Sequence, residues 1–216
     1  MIYFTSDTHY NHKNICRGTT DWLNDEGAPA QRTRPFATLE EMNKTIVDNI
    51  NSCVGEDDEL YHLGDWSFGG KESVWIFKQQ LKCKNIHLIY GNHDQWIERN
   101  YENIQDTFKS ISYYKEIKVN HNHFILSHYA MRVWNKSHKG SIMLYGHSHG
   151  TLDALKPEFT SPTWIGDEYF VKNFKTMDVG MDANPNFKPY SITEILEIMN
   201  SKEILLNIDH HSEKTN

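Results

Sequence analysis

Cysteine is scarce in this 216-residue chain: Cys16, Cys53 and Cys83 are the only three, far apart and without a Cys-x-x-Cys spacing. That argues against a disulfide framework and points to unpaired thiols in a reducing compartment, read here as the cytoplasm. No apolar run approaches the roughly 18 residues that cross a bilayer, so no membrane partner is expected. The opening residues, Met1-Ile2-Tyr3-Phe4-Thr5-Ser6-Asp7, lack a basic segment leading into a long apolar stretch and read as a strand, not a signal peptide. Basic charge is short as well. With 22 Lys and Arg against 29 Asp and Glu, the net charge is −7, the wrong sign for a broad face that grips long nucleic acid. Repeats, low-complexity tracts and linkers are lacking too. Residues 1–216 therefore read as one domain, with 201–216 as an added strand and polar tail.

What is present is a core-forming composition, 38% hydrophobic and 12% aromatic, together with 13 histidines. The bland reading of those histidines, scattered surface and core positions, covers His121, His123, His210 and His211. Strand patterns are expected over 2–6, 59–63, 86–90, 116–119, 123–127, 141–145 and 176–180. Thr38-Leu39-Glu40-Glu41 and Ser191-Ile192-Thr193-Glu194 read as capping boxes opening amphipathic helices. Gly69-Gly70 precedes a helix with Val74, Phe77 and Leu81 on one face, and a further helical stretch is expected near 95–108. Residues 17–37 form a long polar loop, a length that usually signals function. Early alternation of strands and helices, followed by a hairpin, predicts an α/β fold with a mixed sheet or two packed sheets flanked by helices.

Five expected strand ends deliver side chains that bind metals: Asp7 and His9; Asp65; Asn92 and His93; His128; His147 and His149. In extended backbone, residues i and i+2 point the same way. Asp7 with His9, and His147 with His149, are therefore each expected to face one common centre. Asp7, His9, Asp65, Asn92, His128, His147 and His149 are too many ligands for one tetrahedral zinc. They suit two cations about 3.5–4 Å apart sharing a carboxylate. Asp65 is the natural bridge, since it has two oxygens and ends its strand alone.

Asp7-x-His9, Gly64-Asp65, Gly91-Asn92-His93-Asp94, His128 and Gly146-His147-x-His149 resemble, in order, the motif set of the calcineurin-like metallophosphoesterases. The flanking residues 127–132 and 144–150 resemble the small uncapped bacterial and phage members. The resemblance implies a four-layer αββα sandwich of two mixed β-sheets flanked by helices. It implies one metal on Asp7, His9, Asp65 and His149, and a second on Asp65, Asn92, His128 and His147. It makes His93 the proton donor or transition-state stabiliser and Asp94 its neighbour in the catalytic motif, orienting the turn or a histidine ring. One departure is plain. Gly64-Asp65-Trp66-Ser67-Phe68-Gly69-Gly70 lacks the second Asp and the Arg of the protein serine/threonine phosphatases.

The expected chemistry is hydrolysis of phosphomonoesters or phosphodiesters, nucleotides included, by a hydroxide bridging the two ions. Mixed His, Asp and Asn ligands favour Mn²⁺, then Fe or Zn²⁺, over Mg²⁺ or Ca²⁺. Metal affinity is expected to fall below about pH 6 as imidazoles protonate. On the substrate side the candidates are His12 and Arg132, with Lys13, Asn14, Arg17, Arg32 and Arg34 behind them. The aromatics Phe159, Trp164, Tyr169 and Phe170 are candidates for stacking a base. The competing readings are a nuclease on DNA or RNA and a metal-binding scaffold without catalysis. Such scaffolds usually show broken ligand sets, whereas every motif position here is filled.

Overall fold

The computed structural model of the protein describes residues 1–152 and 174–204. Short apolar runs form the first sheet. Its strands β1 (Ile2–Thr5), β2 (Glu59–His62), β3 (Asn85–Ile89) and β4 (Ser110–Ser112) are parallel, and β9 (Tyr190–Ser191) lies antiparallel on the free edge of β1. β4 was not expected from the sequence. Ser110-Ile111-Ser112 has little strand signal of its own, and it is extended because β3 supplies its partners. The helical stretch expected near 95–108 is broken at Asn100 into α3 (Gln95–Arg99) and α4 (Tyr101–Ile104).

The second sheet holds β5 (Tyr114–Val119), β6 (Asn122–Ser127), β7 (Ile142–Tyr145) and β8 (Thr176–Asp178). β5 and β6 are the expected hairpin. Val119 pairs with Asn122, so Asn120 and His121 alone make the turn, and Asn120 takes the left-handed conformation that asparagine tolerates. β6, β7 and β8 are parallel. Both sheets are therefore mixed, and the chain forms the expected α/β architecture of two mixed sheets with helices.

Side-chain alternation divides the core. Leu60, Ile86 and Leu88 face α1 (Leu39–Cys53) and α2 (Gly70–Gln80), which bury Met42, Ile46, Ile50, Val74 and Phe77 against them. Phe4, Tyr61, Leu63 and Ile89 on the other face meet Phe124, Leu126, Ile142 and Leu144 of the second sheet. Phe4 and Phe124 stack across that seam with ring centroids 5.7 Å apart. Truncating a ring so buried typically costs about 3–5 kcal/mol. α5 (Ile192–Asn200) adds Ile195 and Met199 to the same core, and its capping box at Ser191 is fully formed. At Thr38 only half the box forms: its hydroxyl accepts from Glu41 N, but the Glu41 carboxylate takes the amide of Ala37. The outer face of the second sheet, Ile125, Met143 and Tyr145, is covered by Trp134 and Phe174.

Glu203 makes one parallel bridge to Phe174; the rest of the tail strand expected beyond Ile204 lies outside the described residues. Among the described residues, no helix is long and apolar enough to cross a membrane.

Candidate metal centre

Parallel strands place their carboxyl ends along one edge, and the turns leaving β1, β2 and β7 are tied to one another there. Asp7 N donates to Gly64 O (2.9 Å) and His9 N to Asp65 O (3.0 Å). His147 N donates to Asp7 Oδ2 (2.9 Å) and Gly146 N to His128 O (3.0 Å). The backbone here is not extended. Asp7, His9, Asp65, His147 and His149 all have φ between 46° and 68°. This corrects the expectation that i and i+2 meet through strand geometry. Left-handed backbone costs a non-glycine residue free energy, and the interlocking hydrogen bonds hold it there. Gly91 is required for closeness: a Cβ on it would lie 2.2 Å from Asp65 Oδ1 and 2.4 Å from Asp65 N. Gly64 combines φ +99° with a Cβ position 2.6 Å from Gly91 Cα and His128 Nδ1.

His147 and His149 diverge into two groups, against the i and i+2 expectation and in the grouping the resemblance implied. Asp7, His9 and His149 converge in one, and Asp65, His128 and His147 in the other. In the first, His9 Nε2 lies 3.2 Å from His149 Nε2 and 3.9 Å from Asp7 Oδ1, and His149 Nε2 lies 3.8 Å from Asp7 Oδ1. In the second, Asn92 Oδ1 lies 3.0 Å from both His128 Nε2 and His147 Nδ1. Asp65 stands between them: Oδ1 accepts from His93 N (2.8 Å), while Oδ2 lies 3.5 Å from His9 Nε2 and 3.7 Å from His128 Nε2.

These atoms fit cations better than they fit one another. His128 Nδ1 lies 2.7 Å from the Leu63 carbonyl and must donate to it. The Nε2 of the neutral ring then turns a lone pair toward Asn92 Oδ1 and Asp65 Oδ2, both acceptors. Asp7 Oδ1 is buried with no hydrogen-bond partner. Donor atoms held about 2.1 Å from one ion sit roughly 3.0–3.5 Å apart, close to the spacing seen. Without that positive charge, burial pushes the Asp7 carboxyl up to about 8, against the partial relief of His149. Burial likewise pushes Asp65 up to about 6. Burial holds His128 down at about 4 and His9 well below the usual imidazole range, so both rings present lone pairs at neutral pH.

Three aspartates brace the cluster. Asp94 is buried, and its carboxylate accepts from the amides of Asp65 (2.8 Å), Trp66 (2.9 Å) and Gly91 (2.8 Å), joining the turns after β2 and β3. Burial raises it to about 7. Asp178 accepts from Ser148 Oγ (2.5 Å) and from Gly150 N (2.9 Å) and Gly180 N (2.7 Å), clamping the His147-x-His149 turn. Asp182 Oδ2 accepts from His149 Nδ1 (2.6 Å), and its carboxylate is gripped by Arg34 Nε (2.9 Å) and Nη2 (2.7 Å). Arg34 also donates to the carbonyls of Asp7 (2.5 Å) and Thr8 (2.8 Å). Burial opposes ionisation of Asp182, but Arg34 and His149 outweigh it and hold the carboxyl far below the usual range. Burial also works against a charged His149, yet Asp182 and Asp7 leave its ring raised. Sequence reasoning missed Asp178 and Asp182. The signal was available: Asp178-Val179-Gly180-Met181-Asp182 is another strand end with carboxylates beside a glycine.

A cavity of about 580 Å³ opens on the cluster, lined in part by His9, His12, His93, His147 and His149. The exposed His93 ring lies 5.4 Å, centroid to centroid, from His9. Burial, then His149, lowers its basicity. His12 stacks on Phe68 at 3.6 Å, and burial lowers it to about 4. Arg132 is exposed and does not line this cavity. Arg34 serves Asp182 rather than the cavity, whereas Arg32 lines it. Lys13 pairs with Asp21, Asn14 accepts from Asp21 N, and Arg17 binds Thr33, so these three hold the loop. Phe159, Trp164, Tyr169 and Phe170 lie outside the described residues.

Comparison with known proteins agrees with this geometry. The chain is 27% identical over 211 residues to an uncharacterized protein of Methanocaldococcus jannaschii, covering 96% of each. It is 25% identical over 178 residues to the gene 66 protein of Mycobacterium phage L5, covering 69% of this chain and 78% of that one. A solved structure of a protein of unknown function from Aquifex aeolicus shares the fold, with a TM-score of 0.59 at 22% identity over 92% of this chain and 98% of that one. The family profile described as calcineurin-like phosphoesterase matches residues 1–151, which contain every motif named above, and the chain belongs to that family.

Proposed function

We propose that the protein hydrolyses phosphomonoesters or phosphodiesters with two divalent cations. One is held by Asp7, His9, Asp65 and His149, and the other by Asp65, Asn92, His128 and His147. The observation that carries this reading is Asp65 Oδ2, a single free carboxylate oxygen between His9 Nε2 and His128 Nε2 at 3.5 and 3.7 Å. Oδ1 accepts from His93 N while Oδ2 faces both imidazoles, so Asp65 is the carboxylate the two ions would share. The imidazole, carboxylate and amide donors suit Mn²⁺, with Fe or Zn²⁺ next. Cations held there would neutralise charge on the phosphate and lower the pKa of a water.

The chain's own residues do the rest. His93 stands at the cavity wall beside His9, where its ring can reach a bound phosphoester. From there it gives its proton to the departing oxygen. Asp94 acts through the backbone, holding the turns that carry Asp65 and Asn92. His12 packs beside His93 (ring centroids 6.2 Å apart) and stays neutral, a hydrogen-bonding partner for substrate oxygens.

The test is hydrolysis of p-nitrophenyl and bis-p-nitrophenyl phosphate by Mn²⁺-loaded protein. At least one should be hydrolysed, with activity abolished by EDTA and restored by Mn²⁺. Inertness toward both with two ions bound would leave a binding scaffold. His93→Gln should keep its metal content and lose about 10²–10⁴ in turnover; unchanged turnover would remove His93 from the chemistry.

A further inference from the structure

The excursion over residues 17–37 is a folded wall. Arg34 N donates to Ile15 O (2.7 Å) and Arg17 N to Arg34 O (2.9 Å), and Leu23 bridges Pro29. Asn24 closes the tip by accepting from Glu26 N and Ala28 N. This framework fixes Trp22 at both backbone ends: its N donates to Thr20 Oγ1 (3.0 Å) and its O accepts from Ala30 N (2.9 Å). Yet the residue keeps 49% of its surface exposed. It lines the cavity of the metal centre together with Ile15 and Leu152, and among the described residues Arg32 is the one Lys or Arg in that lining. Two ring-to-ring steps lead from the centre to it: His9 to His12 at 5.3 Å and His12 to Trp22 at 5.5 Å, nearly perpendicular.

The cavity thus joins the imidazoles of the cluster to a half-exposed indole, with Ile15, Leu152 and the Arg32 guanidinium also in its lining. A phosphate alone would use the cluster and leave the indole bare. We propose that Trp22 is a stacking platform for the base of a nucleotide whose phosphate sits at the metal centre, with Arg32 meeting a polar edge or second anionic group. This rests on the phosphoesterase reading above and narrows its substrate to nucleoside phosphoesters. An indole suits the role because every base offers a π face, and stacking tolerates any of the four.

The experiment is calorimetric titration of Mn²⁺-loaded protein with inorganic phosphate and with a nucleoside 5′-monophosphate. Wild type should bind the nucleotide at least tenfold more tightly than phosphate. Trp22→Ala should lose about tenfold or more for the nucleotide while phosphate affinity moves less than twofold, and Trp22→Phe should recover most of the loss. The proposal is overturned if wild type shows no preference for the nucleotide, or if Trp22→Ala weakens both ligands equally or neither. Hydrolysis of bis-p-nitrophenyl phosphate without that preference would sink the platform and leave the phosphoesterase reading standing. The preference without any hydrolysis would sink the enzymatic reading and leave the platform.

Discussion

His149 donates its Nδ1–H to Asp182, which Arg34 grips in turn, whereas His128 donates its own to the neutral carbonyl of Leu63. The two halves of the centre look alike in sequence and differ in support. The Asp7, His9 and His149 half contains a carboxylate of its own, and Asp182 makes its imidazole a stronger donor. The Asn92, His128 and His147 half has neutral donors and leans on Asp65 for its negative charge; His147 is exposed. The first half should therefore hold its ion more tightly, and the second should exchange more freely.

The largest expected effect comes from erasing what the halves share. Asp65→Asn should weaken both ions and reduce metal-dependent hydrolysis about 10³-fold, since each loses its common negative ligand. Metal content after gel filtration reads this directly. If one ion stayed at full affinity, Asp65 would belong to a single half. A smaller change should separate them. Asp182→Asn keeps an oxygen for Arg34 but removes the charge behind His149. It should weaken one of two Mn²⁺ sites about 10–100-fold and spare the other. Equal weakening of both in a two-site titration would break the comparison.

The last contrast is a pH signature. In the ion-free protein Asp7 titrates at about 8 and Asp65 at about 6. A cation needs the ionised carboxylates, so binding below those values must expel protons. Affinity of the Asp7 half should climb by up to about tenfold per pH unit between 6 and 8 and then level off. The other half, limited by Asp65, should level off nearer 6 to 7. Proton release measured in buffers of different ionisation enthalpy would show the climb, and a flat profile across 6 to 8 would refute it. His149 adds its own proton to the Asp7 half, since Asp182 and Asp7 leave its ring raised. His9 and His128 are held below the usual range by burial and remain neutral where the carboxyls are still protonated.

The supporting residues were harder to read than the cluster itself. Asp94 stood inside a recognisable motif, but its task of joining two turns appears only once β2 and β3 lie side by side. Arg34 looked like one of several loop cations with a claim on phosphate. Its buried pairing with Asp182 depends on the 17–37 excursion folding back over the centre. Trp22 carried no signal at all, because a lone aromatic in a polar loop says nothing until a cavity forms beside it. β4 was invisible for a related reason: its pairing is supplied by a neighbour, not by its own side chains.

The order of residues alone determined which side chains reach the strand ends. A glycine or serine beside an Asp, Asn or His after an apolar run is local information, and local backbone preference expresses it directly. The motif resemblance already implied that His149 goes with Asp7 and His147 with His128; only the tertiary structure decided how the backbone aims them. His147 and His149 are two residues apart and serve different halves, because left-handed turns held by hydrogen bonds from other strands aim them apart. Such aim depends on partners distant in the chain, and no local pattern can encode it.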